Sequence, residues 1–111
     1  MDLSRSAVIA RIRAGLQQRS GKAWSVTGGR GTAYGWITID VPPARRVYGF
    51  DGSVGQGYSS LAERAELANL LSLPKVHPQG VSIASSHDHY REYIDRAEGR
   101  APSVIARPYW D

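Results

Sequence analysis

The 111-residue chain has no cysteine. A secreted domain this small usually leans on disulfides, so their absence favours a reducing, cytoplasmic setting. Long apolar runs are also missing, which argues against a membrane-spanning helix and against a membrane partner. The opening residues Met1-Asp2-Leu3-Ser4-Arg5 have no apolar core and no small-residue cleavage site, so they do not read as a signal peptide. No internal repeat and no low-complexity tract interrupts the sequence. No nucleophile motif and no dinucleotide or P-loop fingerprint is present, so no cofactor is expected.

What remains is an ordinary globular composition, 41% apolar and 22% charged. The length suits one domain spanning 1–111, with a modest core. The net charge is +4, and it is unevenly placed. Residues 1–57 hold eight basic groups against three acids, whereas residues 58–111 hold six against seven. A basic first half suits an anionic partner, either nucleic acid or an acidic protein surface. Twelve of the fourteen basic residues are Arg, whose fork matches phosphate and carboxylate geometry better than Lys does.

Apolar periodicity gives the elements. Val8, Ile9, Ile12 and Leu16 form one stripe of a helix over 4–19, which Ser4 or Ser6 can cap and Ser20-Gly21 can end. Residues 22–27 and 32–41 read as a hairpin around Gly28-Gly29-Arg30-Gly31. Strand alternation puts Ile37, Ile39 and Val41 on one face and Tyr34, Trp36, Thr38 and Asp40 on the other. Pro42-Pro43 ends that strand, and a third short strand is expected over 46–50. Ser60 opens a helix to about Leu71, Val81-Ser82-Ile83 reads as a short strand, and Ser85 or Ser86 caps a last helix. Tyr90, Tyr93, Ile94 and Ala97 are its buried stripe, and Gly99 is its stop. The tail 100–111, with Tyr109 and Trp110, is expected to dock on the body. The order α-β-β-β-α-β-α predicts an α+β fold, with a three- to four-stranded, mainly antiparallel sheet and about three helices on one face.

Three constellations are candidates for chemistry. With Ile37, Ile39 and Val41 in the core, Tyr34 and Trp36 face outward beside Arg30, and Arg11 and Arg45 add basic charge. Aromatics on a sheet next to arginine are how sheet modules stack bases, and Trp, Tyr and Arg also build protein-interface hot spots. A second group is His77, His87, Asp88 and His89, residue types that ligate metal or serve a hydrolase. In a helix, however, His87 and His89 point about 200° apart, and Asp88 suits a first turn, where it complements the helix dipole. The third is the loop Gly52-Ser53-Val54-Gly55-Gln56-Gly57, which lacks the spacing of a phosphate loop and reads as a connector.

Residues 7–41 resemble a large polyvalent protein-associated domain of phages and conjugative elements. A short helix leads into Lys22-Ala23-Trp24-Ser25-Val26, a glycine-containing turn, then Gly35-Trp36-Ile37-Thr38-Ile39-Asp40-Val41. Val41-Pro42-Pro43 stands where that pattern has a Trp-Thr-Asp-Gly-Pro-like segment. The resemblance implies a mobile-element accessory domain, of bacterial or phage origin, and carries over no catalytic residue. The leading expectation is therefore a non-catalytic binding module acting through Arg11, Arg30, Tyr34, Trp36 and Arg45. The alternatives are a metal site or metal-dependent hydrolase on the histidines, and a structural homo-oligomer.

Overall fold

The computed structural model describes residues 3–31, 35–48 and 57–107. Three helices are α1 (Arg5–Ser20), α2 (Leu61–Leu71) and α3 (His87–Ala97), and three strands are β1 (Ser25–Gly28), β2 (Ile37–Asp40) and β3 (Val81–Ile83). Each helix starts on a serine. The Ser4, Ser60 and Ser86 hydroxyls accept from the N–H groups of Ala7, Glu63 and His89, and each cap is worth about 1 kcal/mol.

The strands form an antiparallel sheet in the order β1-β2-β3. Val26, Ile37, Ile39, Val81 and Ile83 alternate toward the core. They meet Val8, Ile12 and Leu16 of α1 and Tyr90 and Ile94 of α3, while Leu67 and Leu71 of α2 complete the same cluster. The α+β class, the antiparallel sheet and the three helices agree with the sequence pattern. Among the described residues no helix is long and apolar enough to cross a membrane.

Arginines tie the helix ends together. Arg19 of α1 donates to the carbonyls of Leu70, Arg96 and Ala97, and Arg96 of α3 donates to those of Leu71 and Ser72. Two cations thus meet the carbonyl ends of α2 and α3, where the dipole favours positive charge. Glu92 is buried, pairs with Arg96 at 2.9 Å, and accepts the Ala106 N–H. Asp95 accepts from the Ser103 N–H and hydroxyl. The chain after α3 therefore runs back along it as far as Ala106; Tyr109 and Trp110 lie outside the described residues.

Two elements differ from expectation. The first strand begins at Ser25, because Ser20 Oγ takes the Lys22 N–H and the Trp24 indole N–H into a local knot at the end of α1. Of the expected strand over 46–50, the described residues 46–48 are not sheet members. Pro43–Arg45 is a short 3₁₀ turn, and Arg46 Nε reaches back to the Val41 carbonyl. Beyond it, Val47 makes only an isolated bridge with Tyr58. Residues 49 and 50 lie outside the described residues.

Candidate functional site

With α1 and α3 packed on one side of the sheet, the other face is left to its polar residues. The strand register places Thr27 opposite Thr38, and Thr38 opposite Ser82. Three hydroxyl side chains therefore form one row across the sheet, with neighbouring strands about 4.8 Å apart. Along β2 the same face carries Trp36 before Thr38 and Asp40 after it, a span of about 13 Å at strand rise.

Two turns raise walls around this row. Val47 and Tyr58 exchange backbone hydrogen bonds at 2.8 and 3.0 Å, which brings Arg46 and Gly57 to one side. His77-Pro78-Gln79-Gly80 forms a tight turn into β3, closed by Gly80 N–H to the His77 carbonyl at 2.8 Å. Gly80 has φ +89, and a side chain there would run into the Ile39 carbonyl, so only glycine lets this turn lie against β2. The result is a cleft of about 810 Å³ lined by Thr27, Trp36, Thr38, Asp40, Arg46, Gly57, His77, Gln79, Gly80 and Ser82. That size lies within the range of ligand sites, roughly 300–1,000 Å³.

The polar groups at the Asp40 end are held in place. Asp40 is buried and accepts the Val41 N–H at 2.7 Å, and its other oxygen lies 3.6 Å from Arg46 Nη2. Arg46 Nε is committed to the Val41 carbonyl, so the guanidinium is oriented. His77 Nδ1 accepts the Gln79 N–H at 3.1 Å. In the neutral ring the proton is then on Nε2, which makes that nitrogen a donor. The cleft thus combines an aromatic at one end, neutral hydroxyls in the middle, and donors beside one carboxylate at the other.

Comparison with family models, with curated protein sequences and with solved structures returns no match. The site is therefore read from its own residues.

Of the four described residues among the five expected to form the binding face, the structure brings only Trp36 into the cleft. Arg30 is exposed on the turn between β1 and β2, whose Gly29 N–H bonds the Trp36 carbonyl. Tyr34 lies outside the described residues. Arg11 projects from α1 and makes a two-point contact with Glu98 of α3, in a separate groove on the helical side. Arg45 stacks 4.9 Å over the Trp24 ring and bonds Glu63 and the Ala23 carbonyl. Neither Arg11 nor Arg45 belongs to the sheet face. Both are drawn away because a carboxylate on a neighbouring helix satisfies them.

The four residues of the metal alternative are not gathered either. His87, Asp88 and His89 occupy the first turn of α3, and His89 Nδ1 is 2.5 Å from the Ser86 hydroxyl of the cap. His77 precedes β3, so the strand separates it from them. Among the described residues no group of three His, Cys, Asp or Glu side chains is placed to hold a metal ion. The loop 52–56 lies outside the described residues, and Gly57 lines the cleft.

Asp40, Thr38 and Ser82 were within reach of sequence reasoning, since strand alternation sets them on the outward face. Arg46, His77 and Gln79 were not, because a turn and an isolated bridge carry them there.

Proposed function

We propose that this chain is a non-catalytic module that binds single-stranded nucleic acid on the open face of its sheet. The observation that carries the reading is the cleft itself. One aromatic, a row of hydroxyls and an oriented arginine line one cleft, and the apolar residues of the opposite sheet face lie in the core. Sheet modules recognise single strands this way, with bases stacked on an aromatic and edges or backbone held by short polar side chains. The alternative partner, an acidic protein surface, would draw on a broad basic patch, and Arg11, Arg45 and Arg96 are already paired with Glu98, Glu63 and Glu92.

The same pairing sets the electrostatics. Arg30, exposed on the turn, and Arg46, in the cleft, would each meet one phosphate. Neutralising two phosphates on a single strand gives a log–log salt slope of about −1.4. Titration of a labelled single strand at several salt concentrations should return a shallow slope of that order. Trp36→Ala should weaken binding by about 1–3 kcal/mol, the value of one stacked base. The ring is half-buried, so the variant should also lose about 1 kcal/mol of stability, part of the full transfer value. Unchanged affinity in a folded Trp36→Ala protein would refute the reading.

A further inference from the structure

We infer that the strand preferred on this face is RNA, and that Thr27, Thr38 and Ser82 recognise its ribose 2′-hydroxyls. This rests on the sheet-face reading above and adds the sugar of the ligand to it. The register makes the three side chains direct cross-strand neighbours, Thr27 to Thr38 and Thr38 to Ser82. At sheet spacing the row spans about 10 Å.

Several hydroxyls elsewhere in the fold have structural work. Those of Ser4, Ser60 and Ser86 cap helices, Ser20 holds Trp24, and Ser59 bonds the Pro78 carbonyl. In the row, among the described residues, none of the three hydroxyls has a hydrogen-bond partner. Their donors and acceptors all remain available to a ligand. A hydroxyl both donates and accepts, and so does a 2′-hydroxyl, which is the group that distinguishes RNA from DNA.

The neighbouring charge favours sugar over phosphate on the row. Asp40 follows Thr38 on the same strand face, and a carboxylate accepts a hydrogen bond from a ribose hydroxyl while repelling a phosphate. The cation at that end, Arg46, is already drawn toward Asp40 at 3.6 Å. A backbone lying across the face would therefore present its sugars to the hydroxyl row and its phosphates toward the rims.

The test compares one mixed sequence of about eight nucleotides, within the site sizes of single-strand modules, as RNA and as DNA with deoxyuridine replacing thymidine. Affinities are measured for the native chain, Thr38→Val, Ser82→Ala and the double variant, with thermal melting as the check on folding. RNA should bind about tenfold tighter than DNA, the worth of one or two net hydrogen bonds. Each single variant should lower RNA affinity severalfold and DNA affinity by clearly less, and the double variant should erase the preference. Equal binding of RNA and DNA, or variants that weaken both alike, would overturn the inference and leave the sheet-face reading standing. Binding of neither strand would overturn both.

Discussion

Arg96 shows how far this fold depends on single side chains. Its guanidinium pairs with Glu92, donates to two carbonyls at the end of α2, and lies 5.9 Å from the centre of the Tyr93 ring. Both members of the ion pair are nearly buried, at 11% and 7% exposed. Removing one partner leaves the other charge without compensation, which costs about 3–5 kcal/mol. Arg96→Ala should fall in that range by denaturant unfolding, whereas Arg91→Ala, exposed one turn away, should change stability by under about 0.5 kcal/mol. Equal small effects would mean that the buried pair is not coupled to the fold. Gly80 makes the complementary case in the backbone. Gly80→Ala must adopt a left-handed conformation and meet the Ile39 carbonyl, so a loss of at least about 2 kcal/mol is expected. The cleft wall carrying His77 and Gln79 should loosen with it.

At the level of elements, the local signals were legible and the long-range ones were not. The serine caps, the Val8-Ile12-Leu16 stripe, the Tyr90-Ile94-Ala97 stripe and the alternation in β2 are all written in neighbouring residues. They sufficed for the fold class and for the outward face bearing Trp36. Register between strands is not local, so the alignment of Thr27, Thr38 and Ser82 had no sequence signal. Nor did the fate of the arginines, since Glu98 lies 87 residues from Arg11. Over 46–48 the pattern misled because Val47 and Tyr48 have strand propensity, while the Pro42-Pro43 turn and the Arg46–Val41 bond direct the chain off the sheet. The junction between α3 and the tail also sets a pH response. The Ser103 backbone N–H, with the Arg100 and Ser103 side chains, holds the Asp95 carboxyl below its ordinary 3.8, against desolvation. At Glu98, desolvation pushes upward, but hydrogen bonds from Arg100 and Arg11 outweigh it and hold the carboxyl below its ordinary 4.5. Groups depressed in the folded state contribute stability above their ordinary values and lose it as pH falls through the folded ones. The melting temperature should thus fall in acid below those values, and Asp95→Asn should flatten part of that fall. An unchanged acid limb in Asp95→Asn would show that Asp95 does not anchor the tail.

For the molecule as a whole, the division of labour is between two faces of one small sheet. The helical side takes Arg11, Arg19, Arg45, Arg96 and Arg100 into ion pairs and helix ends, so these five are committed within the fold. The open side keeps Trp36, the hydroxyl row, Asp40, Arg46 and His77 in one cleft. The central claim is that ligands bind there and not along the paired arginines. Amide chemical-shift mapping with a short single-stranded RNA tests it most directly. Shifts confined to β1, β2, β3 and the turn from His77 to Gly80 are the expected result. Shifts centred on Arg11, Glu98 and Arg100, or none at low salt, would contradict it.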